Sequence, residues 1–225
     1  MKHDAVPAAE GDAELRLAAP GAPKVARRVF GDRLSLAESF AEVLADTGVT
    51  HGLIGPREVP ILWDRHILNC AVIADAFPEG ATVIDVGSGA GLPGLALAIA
   101  RPDLTVHLVE PMLRRTDWLH ATIAAIGVEA VHVHRARAEE LHGELSSGYV
   151  TARAVARLDK LARWCFPLLT PGGTLVAMKG RSATDELQAA RPRLRKLGLV
   201  DATISEHGGD LLDQPTVTVD CTVRG

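Results

Sequence analysis

The chain has 225 residues, with 24 Lys and Arg against 28 Asp and Glu and a formal net charge of −4. That length fits one domain, or one domain with an appendage, and the charge argues against a nucleic-acid footprint spread over the whole surface while allowing a local one. With 47% hydrophobic and 23% charged residues the composition is that of an ordinary globular domain, and no apolar run reaches the roughly 18 residues of a membrane span. In chain order, residues 1–23 are rich in Ala, Pro and Gly with scattered acids and predict a disordered leader. Its start, MKHDAVPAAEGDAEL, lacks the apolar core of a signal peptide. Residues 24–78 carry helical spacing: Val25, Val29, Leu36, Phe40, Val43 and Leu44, then Val59, Leu62, Trp63, His66, Ile67, Cys70 and Ile73.

From Ala81 the pattern changes to short apolar strands alternating with helices. Strands are predicted over Thr82–Val86, Thr105–Val109, Ala130–His134, Tyr149–Ala152, Gly173–Met178, Leu199–Ser205 and Thr216–Val223. Helices are predicted over Leu92–Ala100, Leu113–Ile126, Leu158–Leu169 and Asp185–Leu197. Such alternation makes right-handed strand–helix–strand units, and hence a doubly wound parallel sheet over residues 79–225. The last run has no helix after it and closes as an antiparallel strand. Seven strands closed by a terminal hairpin form the class I S-adenosylmethionine (SAM) methyltransferase architecture, a Rossmann-like, mostly parallel sheet.

The most informative stretch is VIDVGSGAGLPG, Val83 to Gly94. A strand that breaks through glycines into a helix makes a socket for a nucleotide-like ligand, because glycine lets backbone N–H groups approach closely and the helix start offers unpaired donors. Two cofactors remain open on this motif. Gly89, Gly91 and Gly94 satisfy the dinucleotide fingerprint, with Glu110 about 20 residues on, where a ribose-binding acid belongs. Asp85, Gly87, Gly89 and Gly91 equally satisfy the D-x-G-x-G-x-G pattern of SAM methyltransferases. Glu110 fits either, since a carboxylate accepts two hydrogen bonds from any vicinal ribose diol. A short-chain dehydrogenase needs Tyr-x-x-x-Lys, but the single tyrosine, Tyr149, is followed four residues on by Arg153. Too little chain follows the sheet for a dehydrogenase's substrate domain.

His132 and His134 share a strand face, but no third residue stands at metal-ligand spacing, so no metal is expected. Cys70, Cys165 and Cys221 are odd in number and far apart, which reads as reduced, buried thiols in a cytoplasmic protein. The segment after the fourth strand, TARAVA, lacks both the Asn/Asp-Pro-Pro-aromatic of amino-methylating DNA enzymes and the Pro-Cys of cytosine-C5 enzymes. Its absence fits an acceptor with a free lone pair, such as guanine N7. Lys179 and Arg181, after the fifth strand, are candidates for phosphate contact.

The chain resembles the RsmG (GidB) family of bacterial 16S rRNA guanine-N7 methyltransferases. The matching blocks are Arg65-His66-Ile67-Leu68, the Asp85–Gly94 loop with its GLPG ending, Arg101-Pro102, Arg137-Ala138-Glu139-Glu140, Arg153-Ala154, Trp164-Cys165 and Lys179-Gly180. The resemblance covers residues 60–182 and implies SAM as cofactor and 16S rRNA or the small ribosomal subunit as partner; no membrane partner is expected, and a monomer is expected because nothing in the sequence suggests an obligate oligomer. Its cofactor contacts fall on Gly87 and Leu92 in the loop, on Ala138 and Glu139 at the adenine, and on Arg153 at the mouth. Glu110 stands where members usually have Asp. Asn69-Cys70 replaces the usual Asp-Ser, and Gly48–Glu58 replaces an aromatic-Asn-Leu-Thr element. Two other classes stay open beside this reading: a SAM-binding sensor or assembly protein without turnover, and a methyltransferase for a small molecule or protein side chain.

Overall fold

A computed structural model describes residues 17–225; the leader expected over residues 1–23 lies outside the described residues as far as residue 16. From Leu17 the chain is packed rather than free. Leu17, Ala19 and Ala22 lie against the core, and the indole N–H of Trp63 donates to the Pro20 carbonyl at 2.8 Å. The helical segment follows: α1 (Ala26–Phe30), α2 (Leu34–Val43), and a second helical stretch that includes α3 (Leu68–Ala71). Tight and wide turns interrupt the helical runs: a π-turn extends α2 over Leu44–Gly48, and 3-10 and π turns flank α3 between Pro56 and Ala76.

Seven strands then alternate with four helices: β1 (Thr82–Val86), α4 (Gly94–Ala100), β2 (Thr105–Val109), α5 (Leu113–Ile126), β3 (Val131–His134), β4 (Ser147–Arg153), α6 (Leu158–Cys165), β5 (Leu169–Lys179), α7 (Ala183–Lys196), β6 (Leu199–His207) and β7 (Thr216–Val223). They form one sheet in the order β3-β2-β1-β4-β5-β7-β6. β7 runs antiparallel to both β5 and β6, and the other pairs are parallel. This is the class I methyltransferase architecture that the strand–helix alternation predicts. The order reverses between β1 and β4, the switch point where such sheets bind ligands outside their carboxyl ends.

Side-chain alternation along the strands divides the core in two. Val83, Val106, Leu108, Val176 and Met178 face a layer that holds α4, α5 and the helical segment, including Phe40, Leu44, Leu62, Ile67, Leu68 and Ile73. Ile84, Val109, Val150, Leu175 and Val219 face the layer of α6 and α7. The helical segment thus shares its core with the sheet.

Element ends differ from the prediction for local reasons. α4 begins at Gly94 rather than Leu92, because the Gly94 N–H is taken by the Asp85 carboxylate at 3.0 Å. α6 stops at Cys165 and tightens into a 3-10 turn across Phe166–Leu168, where Pro167 has no N–H to give. β5 is longer than predicted because Leu169 already pairs with Ser147. Between β3 and β4 only a 3-10 turn, Ala138–Leu141, intervenes. The rings of His107, His132 and His134 pack together on β2 and β3, with His107 Nδ1 2.8 Å from His134 Nε2. Among the described residues no helix is long and apolar enough to cross a membrane.

Candidate functional site

Everything the sequence marked in the loop gathers at the carboxyl edge of β1, β2, β3 and β4. The last residue but one of β1 is Asp85, fully buried, whose Oδ2 accepts the Gly94 N–H while its backbone carbonyl accepts the Ser88 hydroxyl at 2.9 Å. Its Oδ1 has no hydrogen-bond partner. Burial pushes this carboxyl up to about 7, against the Gly94 N–H and the positive charge of Arg153, which both favour the ionised form. Asp85 therefore pins the far end of the loop to its strand.

The near end is pinned through β2. The N–H groups of Gly87 and Ser88 both donate to the Val109 carbonyl, at 2.8 and 3.2 Å. Gly87 has φ +74, and a Cβ there would lie 2.9 Å from a methyl of Val155. Only glycine leaves the loop backbone bare at this point. Val155 belongs to the β4–α6 loop, where Ala154 also has positive φ. This loop thus folds over the glycine turn.

Glu110 follows β2 and is 2% exposed. Its Oε2 accepts the Gly89 N–H at 3.1 Å and its Oε1 the Met112 N–H at 3.0 Å, with the Arg115 guanidinium 3.5 Å away. Oε2 thus meets two donors, the Gly89 amide and Arg115, while Oε1 meets only the Met112 amide and keeps acceptor capacity for a hydroxyl of a vicinal diol. Gly89 and Glu110, both members of the fingerprint read from the sequence, are thus hydrogen-bonded to each other. Leu92 is buried in the core and its N–H is taken by the Ser88 carbonyl. After β3, Ala138 is buried and Glu139 exposed at the start of the 3-10 turn, and Glu140 closes that turn by accepting the Arg137 N–H at 2.7 Å.

Arg153 ends β4. Its Nη1 donates to His66 Nδ1 at 3.1 Å and to the Arg65 carbonyl at 3.4 Å. His66 Nε2 lies 2.8 Å from Glu58 Oε2. Burial, and next the Arg153 charge, hold the His66 pKa below its ordinary value. The RHIL block carried no role in the sequence reading, and Glu58 lay in a segment read only as divergent. No spacing signal links them to Arg153, because the contact spans 87 residues. Apolar residues also border the site: Met112 and Leu113, beside Glu110, are 43% and 54% exposed, although the sequence showed Leu113 only as the start of a helix and did not mark Met112.

Lys179 does not stand free for a phosphate. Its Nζ donates to the Ala156 carbonyl and to Glu186 Oε1, both at 2.9 Å, and Glu186 also accepts the Leu158 N–H. The lysine instead braces the β4–α6 loop against α7. Arg181 is exposed. The three cysteines are free and buried.

The residues of this edge fit a purine nucleoside carrying a sulfonium. The glycine turn offers bare backbone, Glu110 has free acceptor capacity, and Asp85 leaves an orphaned buried oxygen beneath the loop. Sheet order, glycine turn and β2 acid together define a class I SAM-dependent methyltransferase. Solved structures share the fold: the SAM-dependent methyltransferase SibL in its apo form (TM-score 0.60, 18% identity, 90% of this chain and 70% of that one) and M. jannaschii TYW2 in complex with AdoMet (TM-score 0.56, 19% identity, 72% and 78%). The family model for rRNA small subunit methyltransferase G (GidB) matches residues 33–213. Proteins named ribosomal RNA small subunit methyltransferase G from Nocardioides sp. and Streptomyces avermitilis are 56% and 53% identical over 201 residues, 89% of this chain and 80% and 84% of theirs. The chain belongs to the rRNA small subunit methyltransferase G family.

Proposed function

We propose that this enzyme methylates N7 of one guanine in 16S rRNA of the small ribosomal subunit, in the cytoplasm, with the adenosine of SAM along the β1–β3 edge and the acceptor base at Arg153. The single observation that carries this is the convergence of the Gly87–Gly89 turn, Glu110 and Arg153 on one edge, in a chain about half identical to ribosomal RNA methyltransferases. SAM supplies an electrophilic methyl group. The chain's own residues bind and align. Glu110 accepts the ribose hydroxyls, Ala138 and Glu139 border the adenine, and Met112 offers an apolar face beside it.

Guanine N7 is an acceptor with its own lone pair, so no side chain has to remove a proton. Arg153 cannot donate to N7 while that lone pair reacts, but guanine O6 remains available to it. Alignment of methyl and lone pair is then the main catalytic task, and positioning of this kind is worth several powers of ten. Exposed Arg114 in the first turn of α5, and Arg135, Arg137, Arg157 and Arg181 on three loops, leave the same edge of the sheet. They give a net-acidic chain a local cationic rim for phosphates.

The test is transfer of labelled methyl from SAM to small ribosomal subunits taken from cells that lack this activity. One methyl per subunit is expected, in 16S rRNA, at a single guanine that becomes open to strand cleavage after reduction. Label on another base or on protein would refute the assignment, and SAM binding without any incorporation would favour the sensor reading.

A further inference from the structure

We infer that His66 and Glu58, carried by the N-terminal helical segment, form with Arg153 a positioning relay that sets the reactive end of the site and lets the state of one imidazole govern it. The inference rests on the reading of Arg153 as the residue at the mouth. The hydrogen bonds allow one arrangement. A guanidinium only donates, so His66 Nδ1, 3.1 Å from Arg153 Nη1, must be the acceptor. The ring proton then sits on Nε2 and points at Glu58 Oε2, 2.8 Å away. This fixes both the tautomer and the ring, with a carboxylate orienting an imidazole that in turn orients a cation.

The burial pattern suits a relay. The His66 side chain is 12% exposed, while Glu58 is 38% exposed and also lies 3.8 Å from Arg65. The carboxylate end thus faces solvent and the imidazole is enclosed. The charged groups that bear on His66 are Glu58 from the preceding 3-10 turn, Arg65 beside it in the chain, and Arg153 from β4. Burial and the two arginines favour the neutral ring, and Glu58 opposes them. A second proton would place an N–H on Nδ1 facing the Nη1–H groups of Arg153, two donors and two cations in contact. Arg153 would then have to leave its place at the end of β4. His66 touches neither the glycine turn nor Glu110 in the hydrogen-bond network, so its influence on the reaction runs through Arg153.

The experiment combines kinetics with spectroscopy on the full chain. In methyl transfer to small subunits, kcat of the wild type should fall on the acid side with an apparent pKa below 6.5. His66→Phe should lower kcat by about tenfold to a hundredfold, with a smaller change in KM for SAM. Combined with Arg153→Ala, it should cost nothing further, since the two residues act as one unit. An equal fall in both backgrounds would overturn the relay. A folded state is checked by the thermal melt, and imidazole ¹⁵N shifts provide a readout independent of the acceptor. In the wild type these should show His66 neutral and protonated on Nε2, with a pKa that rises when Arg153 becomes Ala. An Nδ1–H tautomer, or a His66 pKa indifferent to Arg153, would overturn the relay even if methyl transfer proved to go elsewhere. Failure of transfer with the spectroscopic result intact would instead count against the acceptor assignment alone.

Discussion

Glu110 combines near-complete burial with two backbone amides on its carboxylate. Replacing it with Gln keeps the volume but removes the charge that a diol would meet, a loss of about 1.5–3 kcal/mol per bond. SAM affinity measured by calorimetry should therefore fall about tenfold to a hundredfold; unchanged affinity would remove Glu110 from the cofactor site. His66 has its folded pKa below the unfolded value of 6.5, so between those values the unfolded chain binds more protons. Its contribution to stability is present above pH 6.5 and is lost as pH falls through that window. In His66→Phe, denaturation midpoints should drop less steeply between pH 7 and 5 than in the wild type. At this scale the sequence revealed residues that chain direction places at strand ends, Asp85, Glu110 and Arg153. It could not reveal that Lys179 is engaged by Glu186 and the Ala156 carbonyl, nor that His66 meets Arg153, because both depend on how separate segments pack.

The loop between β1 and α4 works as one element because its far end is tied back to β1 and its near end to β2. Gly94 shows how tightly. A Cβ there would lie 2.3 Å from Leu108 Cδ2 and 2.8 Å from Asp85 Oδ2. Gly94→Ala should therefore destabilise the fold by about 1–3 kcal/mol through overpacking and displace the Asp85 carboxylate, with a lower midpoint in urea as the readout; wild-type stability would contradict this packing. The strands β1, β2 and β7 and the helix α5 coincide with their predicted bounds, since short β-branched runs and a clear helical period left little choice. Ends fixed by tertiary partners did not. α4 starts where Asp85 captures an amide, and β5 is extended by pairing with Ser147.

The N-terminal helical segment and the sheet bury one another. Phe40, Leu62, Ile67 and Leu68 lie in the same core as Val83, Leu95, Val106 and Leu108, so a chain cut to residues 79–225 exposes a face of the sheet and should fail to unfold cooperatively, as circular dichroism would show. A sharp melt of that fragment would contradict a shared core. Helical spacing alone announced the segment, but its dependence on the sheet was illegible, because amphipathic periodicity shows that a face is buried and not against what. The same packing brings Glu58 and His66 to Arg153 at the end of β4, which couples folding of the segment to the geometry of that arginine. The most direct measurement is a crystal structure with SAM bound. The ribose hydroxyls should donate to Glu110, the adenine should lie beside Ala138 and Glu139, and the sulfonium should open toward Arg153 with its bond to His66 kept. Adenosine bound away from the β1–β3 edge, or Arg153 turned out of the site, would contradict the assignment.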